Sequence, residues 1–298
     1  MIAGPTGAGK SAVAMRLAAS APVTIISADS RQVYRHFDIG TAKPTPAERA
    51  AVPHALIDMV DPAERISAAR WADAATVAID AARAVGRIPL VVGGTGLYLR
   101  ALFDPLFKEP PLDAQARAVL GRELAERDTE DLRQEVKAVD PARAHLGRTQ
   151  LLRAIEMVRL TGETITSWHA RVPRETRFTP AYLIVDPGPS LAARLAARTD
   201  AMLAAGWVEE VRNLVTSVPE EAPAWNATGY DAVRQVVRGG LTLEAAHERV
   251  VIRTRQYAKR QRTWFRHQLD AASVTRVAPD EADSNDRVQQ WWRAQEHT

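Results

Sequence analysis

The chain of 298 residues contains no cysteine. That absence excludes disulfides and any zinc or iron–sulfur site ligated by cysteine. It fits a reducing compartment, and a cytoplasmic location is the expectation. Long apolar runs are also lacking. None approaches the roughly 20 residues that span a bilayer, and no charged start leads into the apolar stretch of a secretion signal. No membrane association is expected. Charge of one sign is scarcely in excess: the net charge is +3 and the sequence pI about 9.4, which alone does not mark a nucleic-acid binder. What remains, 46% hydrophobic and 25% charged residues, is the composition of an ordinary globular chain long enough for a large core.

Strand material is sparse. Four short apolar runs rich in β-branched residues read as buried strands: Met1–Ala3, Val23–Ser27, Ile88–Val92 and Ala181–Val185. Helical patterns follow or separate them, over Ser11–Ala19 and Ala68–Val85. This alternation predicts an α/β fold, a parallel sheet flanked by helices. Between Pro110 and Pro180 the pattern changes to Leu, Val and Ala at helical spacing with dense Arg and Glu. We read that stretch as an all-helical insertion domain entered at Pro110–Pro111. Residues 1–109 and 181–298 then form the core. Within the insertion, Gln150–Thr161 is an amphipathic helix ended by Gly162. Beyond it, Ser190–Ala205 ends at Gly206, and Leu243–Arg266 is a long helix with Thr242 as N-cap. The tail from Ala278 is polar apart from Trp291 and Trp292, for which packing is the expected role.

Gly4-Pro5-Thr6-Gly7-Ala8-Gly9-Lys10-Ser11 matches the phosphate-loop pattern G-x-x-x-x-G-K-[ST] in full. Glycines let successive backbone N–H groups point into one concavity, and the helix that opens near Lys10 adds its positive end. Lys10 supplies a mobile charge and the Ser11 hydroxyl a ligand for Mg²⁺. The loop reports a diphosphate or triphosphate, without saying whether a phosphoryl is transferred or merely leaves. Only three residues precede Gly4, fewer than the usual strand of about 5, so a truncated or mis-assigned start is expected.

Ligands of open parallel sheets bind at the carboxyl ends of the strands. The second strand ends at Asp29-Ser30-Arg31-Gln32 and the third at Gly93-Gly94-Thr95-Gly96-Leu97-Tyr98. Both should meet the phosphate loop in one crevice. Asp29 there is either an acid that binds Mg²⁺ or activates a nucleophile, or a turn and cap residue. Gly93-Gly94 either admits a ligand close to the backbone or makes a plain turn, and Thr95 offers a hydroxyl. From Arg249 to Arg266 there are seven Lys or Arg and no acid. Arg255, Lys259, Arg262 and Arg266 share one helical face, and Tyr257, Gln261 and Trp264 another. That basic face is either an RNA-binding surface or a solvated one.

The motifs together go further than a generic phosphate-loop protein. Asp29–Arg35, Asp38-Ile39-Gly40-Thr41-Ala42-Lys43-Pro44, Pro53–Asp58, Gly93–Tyr98, Gln150–Ala154, Leu160–Gly162, Gly229-Tyr230, Arg255–Gln261 and Trp264–Arg266 occur in an order that closely resembles the tRNA dimethylallyltransferases. The resemblance runs from Gly4 to about Arg266. It departs at Ala55, where the family has a second histidine, at Leu151 and Leu152, where basic residues are usual, and at Thr228, where the family has isoleucine.

The resemblance implies an enzyme that moves a dimethylallyl group from dimethylallyl diphosphate to the N6 amine of the adenosine 3′ to the anticodon, in tRNAs reading codons that begin with U. It implies Asp29 as base and Thr95 as the residue holding the amine or the bridging oxygen. The diphosphate falls to Gly4 through Ser11 and to Arg198, which alone could equally be a surface ion-pairing arginine. Mg²⁺ falls to Ser11. The tRNA anticodon stem-loop falls to Asp29, Ser30, Arg31, Gln32 and Thr95, to Arg117 and Gln150 through Ala154 (Leu151, Leu152 and Arg153 included), and to Lys259 and Arg262. A monomer is expected. Alternatives are a phosphate-loop kinase of small molecules, an adenylate isopentenyltransferase, which needs neither the insertion nor the basic helix, and a non-catalytic RNA-binding protein, against which Lys10, Ser11 and Asp29 argue.

Overall fold

The computed structural model describes residues 1–104, 106, 110, 112–171, 178–269 and 274–295. Pro111 of the expected insertion start and the last three residues of the tail lie outside them. By internal packing the chain divides into two compact units, Met1–Phe103 with Arg177–Thr298, and Asp104–Thr176.

The larger unit is built on one sheet of six strands, β1 (Ile2–Ala3), β2 (Val23–Ala28), β3 (His54–Ala55), β4 (Ile88–Gly93), β5 (Tyr182–Val185) and β6 (Val274–Val277). Their order is β3-β2-β4-β1-β5-β6, and every pairing is parallel. The four strands read from the sequence are the inner ones. The two edges, β3 and β6, escaped it: a two-residue strand carries no periodicity, and β6 is half polar.

Helices α1 (Lys10–Ala18), α2 (Pro46–Ala51), α3 (Ala68–Ala84) and α4 (Gly96–Phe103) connect the first strands. After β5 come α9 (Leu191–Ala204), α10 (Trp207–Ser217), α11 (Tyr230–Val237), α12 (Leu243–Gln268) and, after β6, α13 (Ser284–Gln295), with α5 to α8 in the other unit. Thr242 caps α12 as expected, its side chain accepting from Ala245 N. The polar tail forms α13 because Val288, Trp291 and Trp292 bury themselves against Ile2, Leu17 and Val277 in the main core. Among the described residues no helix is long and apolar enough to cross a membrane.

The smaller unit is helical throughout: α5 (Ala114–Ala125), α6 (Thr129–Val139), α7 (Arg148–Thr161) and α8 (Ile165–Ala170). It has its own core around Leu124, Leu132, Val136, Leu151 and Ile155. Arg148 donates to the carbonyls of Arg127 at 2.6 Å and Ala125 at 2.9 Å, satisfying groups that the end of α5 leaves open.

Candidate active site

The phosphate loop joins β1 to α1. Gly7 and Gly9 take φ of 76° and 94°, the left-handed region that other residues avoid, and so turn the backbone amides inward. Lys10 lies against its own loop, donating to the Pro5 carbonyl at 2.8 Å. Burial lowers its pKa to about 8, the neighbouring Asp29 carboxylate opposes that shift, and Arg198 adds to it. Burial likewise lowers Arg198, with Asp29 again opposing. Among the described residues Arg198 forms no ion pair. A lysine and an arginine held together beside one carboxylate, with few bonds of their own, are cations set for an anion from outside.

Asp29 follows β2. Its Oδ1 accepts from Arg31 N at 2.8 Å and Gln32 N at 3.4 Å, so both readings of this residue apply at once. One oxygen caps the turn and fixes the carboxylate, and Oδ2 receives no hydrogen bond from the described residues. Thr95 meets the same turn from β4. Its hydroxyl accepts from Ser30 N at 3.0 Å. Nearby is Tyr257 of α12, whose phenol burial pushes up to about 12. Asp29, Arg31, Thr6, Arg198 and Tyr257 line one cavity of about 50 Å³, bounded elsewhere by apolar groups such as Leu195, Met202, Trp207 and Val250 and by threonine side chains. A broader groove of about 1110 Å³ adjoins it, reached by Gly7, Gly9, Lys10, Ser11 and Arg198.

Several residues expected at the tRNA interface have partners within the chain. Both amide hydrogens of Gln32 are used on the Thr41 and Ala42 carbonyls, at 3.3 and 3.0 Å, and its oxygen accepts from Ser27. It staples the end of β2 to the segment Asp38–Lys43. Arg262 turns inward, donating to the Asp186 carboxylate and to the Gly188 carbonyl at 2.7 Å. Arg255, Lys259 and Arg266 stay exposed on α12. In the helical unit the side chains of Leu151 and Ala154 are fully buried in its core and cannot touch RNA. Leu152 packs against that core. Arg117 and Arg153 both pair with Glu156, and Gln150 caps α7 through Gly147 N.

The glycines after β4 also have a use inside the chain. A Cβ on Gly94 would lie 2.4 Å from Gln261, and one on Gly96 2.3 Å from Trp264. The close approach they permit is to α12. Gln261 itself was missed as a site residue. It is buried, accepts from Thr6 N in the phosphate loop at 2.8 Å and donates to the Gly94 carbonyl at 2.7 Å. An amide within an otherwise aromatic inward stripe was the available clue, since buried polar groups are hydrogen-bonded. Arg194, one turn before Arg198, was also missed. It lies over the loop, donating to the Gly7 carbonyl at 3.3 Å and pairing with Asp280 at 2.7 Å.

Ser11, exposed at the loop's end, is the loop's side-chain oxygen for a cation. Among the described residues no group of three His, Asp or Glu could hold a metal. That donor set fits Mg²⁺, which keeps several waters and binds through few protein ligands plus substrate phosphates.

Comparison with known proteins points one way. Residues 32–268 match the family model described as IPP transferase. The chain is similar to the tRNA dimethylallyltransferase of Deinococcus radiodurans, 40% identical over 97% of this chain and 95% of the relative. It is similar to that of Halorhodospira halophila, 45% identical over 92% and 91%. A crystal structure of a eukaryotic dimethylallyltransferase acting on tRNA superposes with TM-score 0.78 at 27% identity, covering 99% of this chain and 78% of that one. A tRNA isopentenylpyrophosphate transferase from Staphylococcus epidermidis gives 0.67 at 28%, covering 100% and 98%.

Proposed function

The chain belongs to the IPP transferase family, whose relatives are tRNA dimethylallyltransferases, and we propose that it transfers a dimethylallyl group from its diphosphate to the N6 amine of the adenosine 3′ to the anticodon, in tRNAs reading codons that begin with U. The observation that carries this reading is the meeting of Asp29 and Arg198 in one cavity between the phosphate loop and the end of β2, with Lys10 of the adjoining groove close to both. A kinase needs its acid near a transferred phosphoryl. Here the cations meet the phosphates from one side and the acid faces a small apolar chamber, which suits a diphosphate that departs.

The adenine amine is a weak nucleophile, because its lone pair is delocalised into the ring. Asp29 Oδ2 takes its proton as the C1–N6 bond forms. Thr95, fixed by the Ser30 amide, holds the amine in line. As the C1–O bond breaks, charge grows on the leaving diphosphate. The loop amides and Arg198 meet that charge, and Lys10 joins them on leaving the Pro5 carbonyl. Mg²⁺ on Ser11, when bound, supplies further positive charge to that diphosphate. The target base must leave its stack to reach the chamber. Ser30 and Arg31 flank its path, and the exposed cations of α12 meet tRNA phosphates. The protein acts as a monomer, in the cytoplasm with its tRNA.

The test is mass spectrometry of nucleosides from unmodified tRNA incubated with the protein, Mg²⁺ and dimethylallyl diphosphate. The expected product is N6-dimethylallyl adenosine at the position 3′ to the anticodon. Transfer to free AMP with none to tRNA would overturn the reading.

A further inference from the structure

The apolar side of the chamber beside Asp29 ends on an indole. Leu195, Met202, Val250 and Trp207 form that side. Trp207 opens α10 directly after Gly206, whose φ is 97°, and is fully buried. It is gripped on two sides. A Cβ on Gly40 would lie 2.2 Å from the indole nitrogen, and one on Gly229 2.5 Å from Cη2. Only glycine at both positions leaves the slot open. The grip is bonded together from behind. Tyr230 meets the indole edge-on at 5.3 Å and donates to Glu210 at 2.6 Å. Glu210, on the same helix as Trp207, accepts the amides of Asp38 and Ile39, which lead into Gly40. The ring therefore cannot swing aside for a longer ligand. Its N–H finds no partner among the described residues. A buried donor left unpaired is unfavourable, and an aliphatic side chain here would avoid that cost. Its presence marks the volume of the ring as the property in use.

We propose that Trp207 sets the length of the allylic donor, ending the chamber after one five-carbon isoprene unit and rejecting the ten-carbon geranyl diphosphate. This rests on the prenyl-transfer reading above. The chemistry itself cannot discriminate: with either donor C1–O breaks, C1–N6 forms, the N6 proton passes to Asp29 and diphosphate leaves. The added unit of geranyl lies at the far end of the chain, away from C1, where the indole stands. Selection is therefore steric, and hydrophobic pockets reject a ligand one group too large far more firmly than one group too small, because packed walls do not yield.

Dimethylallyl and geranyl diphosphate are compared as donors to one tRNA, with Trp207→Leu and Trp207→Ala beside the unaltered protein, each checked for folding by circular dichroism. The unaltered protein is expected to favour the five-carbon donor by at least about 100-fold in kcat/KM, the scale of steric discrimination in such pockets. In a folded variant that ratio should fall by about tenfold or more, with geranyl adenosine appearing in the nucleoside spectrum. Competition by geranyl diphosphate against dimethylallyl diphosphate on the unaltered protein is the arm that needs no variant, and weak inhibition is expected. Ready use or tight binding of geranyl diphosphate by the unaltered protein overturns the proposal, as does an unchanged ratio in a folded variant. Absence of any dimethylallyl product from the unaltered protein would instead overturn the prenyl-transfer reading.

Discussion

The side-chain oxygen of Gln261 accepts the Thr6 amide of the phosphate loop at 2.8 Å, across 255 residues of sequence. Its nitrogen reaches the Gly94 carbonyl. One buried amide on α12 thus fixes the spacing between the loop that receives phosphates and the strand end that presents Thr95. Gln261→Leu removes both bonds and strands two polar groups, each costing about 1–3 kcal/mol. Denaturant unfolding should show that loss, and the KM for dimethylallyl diphosphate should rise with it. Unchanged stability would mean that the loop is held by other contacts.

Asp29→Asn should lower kcat by about 10²–10⁴, the usual range for loss of a general base. The turn survives, since the Asn oxygen can still accept from Arg31 N and Gln32 N, so the Kd for tRNA should hold. Near-normal kcat in this variant would remove Asp29 from the chemistry.

Lys10 gives a pH dependence with a definite sign. Its pKa in the folded protein is lowered to about 8 from 10.5. Diphosphate binds the protonated form, so its affinity should fall by about tenfold per pH unit above 8. Between 8 and 10.5 the unfolded chain keeps this proton and the folded chain does not, so this group favours folding more as pH rises through that window. Binding titrations of dimethylallyl diphosphate from pH 7 to 9.5 check the first effect. In Lys10→Met the affinity should be low throughout and that slope absent.

The exposed cations of α12 separate from the ion-paired Arg262. Arg255→Ala with Lys259→Ala should weaken tRNA binding and reduce the slope of log affinity against log salt by about 1–2, at about 0.7–0.9 per phosphate contact. Arg262→Ala should leave that slope alone and lower the melting temperature instead. Its pair with Asp186 is about one-third exposed and contributes no more than about 1 kcal/mol. Filter binding over a salt series and a thermal melt tell the two apart, and equal slopes in both variants would assign α12 no RNA contact.

What the sequence made legible was local. The phosphate loop, the four inner strands and the capped ends of α7, α9 and α12 follow from spacing, glycine and capping residues within a few positions of each other. What it hid was long-range. Nothing near Gly94 and Gly96 in the sequence announces that Gln261 and Trp264 of α12 will press against them. Arg262 shares a helical face with Lys259, and only the arrival of Asp186 from the end of β5 turns it inward. Leu151 and Ala154 sit in a motif associated with RNA, yet three neighbouring helices bury them. Periodicity says that a residue faces inward or outward on its own element. It does not say what will be waiting there.

Trp291 and Trp292 share their core with Ile2 and Leu17, so the helix most distant in sequence from the phosphate loop is packed beneath the strand that leads into it. The helical unit needs no such distant partner, since its core lies within residues 112–168. Loss of α13 therefore strips apolar cover from the core under the phosphate loop while leaving the core of the helical unit intact.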